Sequence, residues 1–546
     1  MKHLRWTSIV TALGLAASLN ATAQEAPHLK KQGTATQLIV DGKPMLILGG
    51  ELGNSTSSSL KYLNSHWPTL KTIGLNTVIA TIEWGQVEPK EGVYDFAPIE
   101  GLIRQAEANN MKLVLLWLAA WKNSTSSYAP PYIKHNYQTY SKAQDDKGVA
   151  QDILSPFDPD TLKADQRAFG AVMAHLKKFD KKHTVVMMQV ENEIGMLPVV
   201  RDYSPQAEAA FQGQVPKALM DYLQKNRASL HPYVRDVWAT KGYQTAGTWQ
   251  GVFGNSIDAQ QIFQAWGFSV FTNELTRAGK AAYNLPMYIN VALNSPDQKP
   301  GQYPSGGPLP HLFDIWKAGG PDIDLIGMDI YYPNYVQWVD QFKRPDNPVF
   351  VPEANRSGQP DAGGNAFYTI GELDGIGFSP FHIESLPNPA TNVLTDAYRV
   401  LRQISPLILV HQGKGTMRGF KAPLSYEGVL DETPRTIELG GYKMSVSMVD
   451  PRTPKPTQDI QAHGGLIIQT GKDEFLVAGR GVVIRFADAA RSGYQVGIEQ
   501  IVEGEYVNGK WVEGRWLNGD ENGQGRYLRL PPEGFGIQKV KVYRFK

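Results

Sequence analysis

The sequence predicts a (β/α)8 barrel followed by an all-β domain, and three observations carry that expectation. From about residue 37 to about residue 413, short β-rich runs alternate with longer amphipathic stretches, roughly eight times over. Polar side chains recur at the C-terminal ends of most of those runs. Beyond about residue 414 the texture changes to short alternating runs separated by Gly, Pro, Asn and Asp, the pattern of a β-sandwich or barrel. The competing arrangement, a doubly wound open sheet, lacks its mark, because no Gly-x-Gly-x-x-Gly follows an early strand.

In chain order the expected strands are 37–48, 77–82, 112–118, 185–190, 287–291, 325–330, 349–351 and 376–381. The helices between them fall at 58–73, 96–109, 161–179, 207–230, 259–283 and 393–404. Lys2 and Arg5, the apolar stretch Ile9 to Leu19, and Ala21-Thr22-Ala23 before Gln24 have the anatomy of a cleavable secretory signal. The expected division is therefore a signal peptide at 1–23, a catalytic barrel at 24–413 and a β-sandwich at 414–546, in an exported periplasmic or secreted protein. The chain has no cysteine, so neither a disulfide nor a cysteine-linked lipid is available to it. No later apolar run reaches the length needed to span a bilayer. A net charge of +1, from 54 basic and 53 acidic residues, argues against a nucleic-acid or anionic-membrane partner and leaves neutral substrates open.

The most informative string is Met187-Met188-Gln189-Val190-Glu191-Asn192-Glu193-Ile194-Gly195, an apolar strand that runs into three polar side chains and a glycine. In a parallel barrel the C-terminal strand ends face the active site. A second apolar run, Val349-Phe350-Val351-Pro352, delivers Glu353 in the same way. These are the fourth and seventh expected strands, across the mouth from each other. Two carboxyl groups flanking a bond are what glycosidic cleavage requires: one protonates the leaving oxygen while the other attacks the anomeric carbon.

The Gln-Val-Glu-Asn-Glu-x-Gly string resembles the acid/base motif of family 35 of the glycoside hydrolases, the β-galactosidases, within the clan of retaining (β/α)8 enzymes. The resemblance implies that Glu193 is the acid/base, Asn192 the hydrogen-bond partner of the sugar 2-hydroxyl, and Glu353 the nucleophile. Val40-Asp41-Gly42-Lys43-Pro44, Gly49-Gly50-Glu51-Leu52, and Trp84 with Glu88-Pro89, Gly92 and Tyr94-Asp95-Phe96 are similar to that family's first two strand regions. The third strand end departs from it, reading Leu116-Trp117-Leu118-Ala119-Ala120-Trp121-Lys122-Asn123, in the loop that normally contacts galactose. The chain is similar to a divergent bacterial branch whose members trim galactose from xyloglucan oligosaccharides.

Further substrate-binding candidates are Glu51, Trp84, Asn123 and Tyr331, the last as a donor to the nucleophile. Asn54, Trp117, Trp121, Trp249, Trp266, Tyr332, Glu372 and Glu384 stand behind them. For Glu88 to Phe96 a turn-shaping role is expected, and for Trp266 helix core. The C-terminal domain is expected to pack on the barrel, stabilising it or shaping one wall of the cleft. The reading is an exo-acting, retaining β-galactosidase that needs no cofactor. Two alternatives stay open: the same machinery with a terminal β-glucose or α-L-arabinose, and a catalytically silent sugar-binding protein.

Overall fold

The computed structural model describes residues 25–356 and 358–546, and the expected signal peptide lies outside the described residues. Eight parallel strands form the catalytic domain's sheet: β1 (Ile47–Glu51), β2 (Thr77–Glu83), β3 (Lys112–Lys122), β4 (Val185–Asn192), β5 (Met287–Ile289), β6 (Leu325–Ile326 and Asp329–Ile330), β7 (Val351–Arg356) and β8 (Gly377–Phe381). Hydrogen-bonded neighbours run from the first piece of β6 through β5, β4, β3, β2, β1, β8 and β7 to the second piece of β6. The two ends of that order belong to one strand, interrupted by Gly327 and Met328, so the sheet closes on itself as a barrel. The interruption needs glycine: a β-carbon at Gly327 would come within 2.9 Å of the Pro352 ring on β7.

The strands carry near-continuous apolar sequence because both their faces are covered. One face fills the barrel with Ile47, Ile79, Val114, Leu116, Val186, Met187, Tyr288, Leu325 and Phe350. Leu38 and Val40 join this cluster from a three-stranded antiparallel sheet, His28–Gln32, Ala35–Val40 and Lys43–Met45, which precedes β1. The expected first strand, 37–48, is corrected accordingly. Its apolar residues belong partly to this antiparallel sheet, and the barrel strand begins only at Ile47. Asp41 and Gly42, both at positive φ, make the turn that divides the run.

The other strand face packs against helices, among them α1 (Ala97–Ala108), α2 (Pro159–Phe179), α3 (Ile257–Ala282) and α4 (Val393–His411). Local chemistry sets their starts. Asp158 accepts from the backbone N–H groups of Asp160 and Thr161 at the head of α2, Ser256 from Ala259 at α3, and Asn392 from Leu394 at α4. The expected helix at 207–230 is two helices, Pro205–Gln212 and Lys217–Lys225, separated by Gly213 and Pro216.

Beyond α4 the chain forms two antiparallel sheets. The six-stranded one runs Met417–Lys421, Gly464–Gly471, Glu474–Arg480, Gly536–Phe545, Gln495–Val507, Lys510–Trp516, and the four-stranded one Arg435–Leu439, Tyr442–Ser447, Val482–Asp488, Leu528–Leu530. Phe475, Val477 and Val540 of the first meet Met444, Val446 and Ile484 of the second in one core, which makes a sandwich. Its outer face is joined to the barrel: Leu466, Leu476, Phe535 and Ile537 belong to the barrel's own apolar cluster. The Phe535 ring stacks on Phe367 at 4.9 Å, and Arg418 pairs with Glu372, Nε to Oε2 at 2.8 Å. No helix among the described residues is long and apolar enough to cross a membrane.

Candidate active site

The C-terminal ends of β4 and β7 bring Glu193 and Glu353 together. One carboxyl oxygen from each, with one from Asp329 at the end of β6, all lie within 4.8 Å of one another. Asp329 sits directly opposite Glu353 in the β6–β7 ladder. All three are buried, Glu193 at 7% and Glu353 at 5% exposure.

Backbone geometry at the end of β4 is unusual. Glu191 (φ 62°) and Glu193 (φ 46°) both occupy the left-handed region, which non-glycine residues enter at a cost. Two sets of bonds hold them there. The Glu191 carboxyl accepts from the N–H groups of Ala119, Ala120 and Trp121 at the end of β3, at 3.0–3.3 Å. Its own burial and the nearby Asp165 raise it well above the ordinary carboxyl range. Asp165, pushed up to about 7 mainly by burial, accepts from the Trp117 indole N–H at 2.9 Å. Glu191 is thus a strut for the strand end. The second set centres on Asn290, just after β5: its Oδ1 accepts from the Glu193 N–H (2.8 Å), while its Nδ2 donates to Asn192 Oδ1 (3.1 Å) and Asp329 Oδ2 (2.5 Å). Asn192 also accepts from Gln189 Nε2 at 3.0 Å and donates to Asn123 Oδ1 at 3.2 Å.

Electrostatics separates the two glutamates. Burial raises the Glu193 carboxyl, against opposing contributions from Lys122, Asp329 and Asn123. Burial, and then the negative charge of Glu193, push Glu353 up to about 7, while Lys122, the Tyr331 hydroxyl and Asp329 act in the opposite direction. Two such carboxyls share one proton near neutrality and titrate as a pair. Tyr331 stabilises charge on Glu353. Its hydroxyl donates to Glu353 Oε1, and its own ionisation is strongly suppressed by burial and by that carboxylate, so it remains a donor to a Glu353 anion. That hydrogen bond favours charge on Glu353, while burial and the charge of Glu193 favour a proton there, so the pair shares its proton.

Glu51, at the end of β1, is buried, and neither of its carboxyl oxygens has a hydrogen-bond partner. Burial and then Glu353 hold it well above the ordinary range. Asp329 is raised in the same way, by burial and then Glu353. Buried carboxyls without partners are costly unless a ligand satisfies them, and sugar hydroxyls are suitable donors. Lys122 is the cation acting on all four acids, and it pairs with Asn192 across the β3–β4 ladder. Glu193, Asp329 and Glu353 offer oxygens spaced for a cation as well; the Lys122 ammonium already supplies positive charge there.

Of the sequence candidates, Glu193, Glu353, Asn192, Asn123, Glu51 and Tyr331 converge on this site. Trp84 does not, and its expected contact with sugar is corrected. The ring is fully buried and its indole N–H donates to Glu88 Oε2 at 2.8 Å. Glu88 also accepts from Tyr132 and the Gly92 N–H, so this region is a structural turn. Trp117 and Trp121 likewise point away from the mouth, Trp121 donating to the Leu154 carbonyl and packing on Phe268 and Phe271. Trp249 packs on Phe253 and Phe263. Glu384 is committed to the loop after β1, accepting from the Gly53 N–H and the Thr56 hydroxyl. Asp329, Asn290 and Lys122 were missed. Asp329 stands at the end of an apolar run much as Glu353 does, a signal that could have marked it; Asn290 and Lys122 carry none.

Two family models match the chain: Beta-galactosidase of glycosyl hydrolase family 42 over residues 59–266, and a domain of unknown function over residues 394–529. A β-galactosidase of Xanthomonas manihotis is 30% identical over 116 residues, which cover 20% of this chain and 19% of that protein. The chain therefore spans about a fifth of the length of the curated relative it matches. Among solved structures, the β-galactosidase of Bacillus circulans sp. alkalophilus superposes with a TM-score of 0.45 at 14% identity, covering 67% of this chain and 57% of that one. That of Rahnella sp. R3 gives 0.45 at 16%, covering 70% and 58%. Over residues 59–266, which run from the loop after β1 past β4 and include Glu191 and Glu193, the chain is thus similar to the β-galactosidases that this family model describes.

Proposed function

We propose that this protein is a retaining glycoside hydrolase that removes terminal β-galactose from oligosaccharides, with Glu193 as acid/base and Glu353 as nucleophile. The observation that carries the proposal is the approach of the Glu193 and Glu353 oxygens to within 4.8 Å. Oxygens that close favour the short carboxyl separation of retaining enzymes, about 5–5.5 Å, over the roughly 6.5–9.5 Å that inverting enzymes leave for a water molecule. In the first step Glu353 attacks the anomeric carbon as Glu193 protonates the leaving oxygen. Glu193, now a carboxylate beside an esterified and uncharged Glu353, then takes a proton from water as the water oxygen bonds to the anomeric carbon and Glu353 leaves. In this reading Asn192, whose Nδ2 lies 3.5 Å from Glu193 Oε2, takes the sugar 2-hydroxyl, and Glu51 and Asn123 take other hydroxyls of the same ring.

Galactose is favoured by the match over residues 59–266 and by the family-35-like string at the end of β4. Exo action, xyloglucan side chains as source, and export by the N-terminal signal belong to the same proposal. A panel of nitrophenyl glycosides with proton NMR of the first-formed product tests it. Hydrolysis of the β-galactoside with the β-anomer formed first is expected. Turnover of the glucoside or arabinoside alone replaces the sugar, and a first-formed α-anomer overturns the mechanism.

A further inference from the structure

The C-terminal sandwich touches the rim of the barrel mouth at one point that its packing against the barrel helices does not explain. Tyr426, on the loop between Lys421 and Arg435, donates its hydroxyl to Ser295 Oγ at 2.9 Å, 131 residues away in the loop after β5. Its ring lies against Tyr332, centroids 5.3 Å apart and tilted 45°. The Tyr332 hydroxyl reaches the same Ser295 Oγ at 3.2 Å. Tyr332 directly follows Tyr331, the residue that holds Glu353. The pair is therefore one residue removed from the catalytic constellation, on the β5–β6 side of the mouth.

The loop that presents Tyr426 is built to hold its shape. Ser425 N–H donates to the Val429 carbonyl at 2.8 Å, Gly428 N–H to Ser425 at 3.0 Å, and Asp431 N–H to Pro423 at 2.9 Å. Gly428 turns the chain at φ 79°. Ser425 Oγ donates to Glu427 Oε2 at 2.7 Å. Yet Tyr426 belongs to none of the apolar clusters of either domain, and both tyrosines keep part of their surface in solvent. A rigid loop that carries a half-exposed aromatic ring to the mouth contributes little to either core. It does offer two ring edges and three hydroxyls on one wall. Aromatic faces take the apolar C–H face of a sugar, and the hydroxyls take its rim.

We infer that Tyr426 and Tyr332, linked through Ser295, form the wall of the leaving-group subsite and bind a saccharide aglycone, so that the C-terminal domain sets which glycosides are cut. This rests on the glycosidase reading above. The glycone side is accounted for by the buried floor of Glu51, Asn192, Glu193 and Glu353. The half-buried Tyr332–Tyr426 pair, which adjoins Tyr331 in the chain, is the part of the rim we assign to the group that leaves.

The test compares a donor with no aglycone ring, β-galactosyl fluoride, with a donor that has a sugar aglycone, lactose. Tyr426→Ala is expected to lower the ratio of kcat/KM on lactose to kcat/KM on the fluoride by about 5- to 10-fold, the scale of a lost aromatic contact. Tyr426→Phe, which keeps the ring, should hold most of the ratio. An unchanged ratio in Tyr426→Ala, whether both activities persist or both fall with the unfolding temperature, overturns the inference and leaves Tyr426 as a strut. If the wild type cleaves neither galactoside, the galactose reading fails, and the same ratio is measured on whichever of the glucosyl or arabinosyl fluorides and matching disaccharides is turned over. Inertness to all of them overturns both readings.

Discussion

Asp329 lies directly across the β6–β7 ladder from Glu353, and its carboxyl is bridged through Asn290 to the backbone of Glu193. A third acid in contact with both catalytic candidates would oppose ionisation of Glu353 if it were charged. Burial and the neighbouring acids hold its own carboxyl well above the ordinary range instead, and its presence lowers Glu353 against burial and Glu193. Removing it with Asp329→Ala should raise the pKa of Glu353, moving the acid limb of kcat/KM to higher pH. Asp329→Asn, which can still donate, should return the limb most of the way. A pH–rate profile of the two variants checks this; an Asn variant no better than Ala would contradict it.

Glu193 controls both limbs of the profile. Glu353 must be ionised to attack, and it is pushed up to about 7, so activity is expected to fall as pH drops below that region. In the proposed mechanism activity falls on the basic side as the coupled pair gives up its second proton, the one Glu193 delivers to the leaving group. Glu193→Gln removes the ionisable acid and the negative charge that raises Glu353. On a dinitrophenyl glycoside, whose leaving group needs little protonation, the basic limb should vanish and the acid limb move down. A retained basic limb would assign the proton to another group.

Tyr331→Phe removes the hydroxyl that donates to the Glu353 carboxylate. Hydrogen bonds to charged groups contribute about 1.5–3 kcal/mol, so kcat/KM is expected to fall roughly 10- to 100-fold. The acid limb should shift upward, because the anion has lost a donor. Steady-state kinetics across pH distinguishes this from a packing defect, which would lower activity without moving the limb.

Glu51 carries a pH-dependent cost to the stability of the fold. Its folded-state pKa is raised above the ordinary 4.5, so the folded protein binds this proton more tightly than the unfolded chain. The destabilisation is absent below about 4.5, where both states are protonated, and grows as pH rises toward the folded-state value. Glu51→Gln should therefore melt higher than the wild type at pH 7.5, with the difference shrinking at pH 4.5, while KM rises. Thermal unfolding at the two pH values checks the sign.

Trp84→Phe separates a structural indole from a substrate-binding one. The variant leaves the buried Glu88 carboxyl short of one donor, at a cost of about 1–3 kcal/mol. Its melting temperature should drop while KM for an aryl glycoside stays at the wild-type value. A KM effect without loss of stability would return Trp84 to the substrate.

The parts that were legible in the sequence are those that local pattern determines. Strand periodicity, and the abrupt change from apolar to polar at Glu191 and Glu353, located the fourth and seventh strands and the carboxylates on them. The first strand was blurred because Ala35 to Glu51 is apolar throughout most of its length, yet it serves two different sheets divided by the Asp41-Gly42 turn. Trp84 misled because its place in a family-like string says nothing about which way the indole turns; the buried Glu88 that claims its N–H settles that. Asn290 and Lys122 were invisible for a different reason. Their importance arises from hydrogen bonds and charge between strands far apart in the chain. Tyr426, in another domain, lay further still from any local signal.

The central claim is that Glu353 attacks carbon while Glu193 manages the proton. Incubation with the activated 2-deoxy-2-fluoro glycoside of the accepted sugar, followed by peptide mapping by mass spectrometry, reads this directly, because the fluorine slows breakdown of the glycosyl-enzyme. One adduct is expected, on the peptide containing Glu353, and it is absent in Glu353→Gln. An adduct on Glu193, Asp329 or Glu51, or turnover in Glu353→Gln close to that of the wild type, would contradict it.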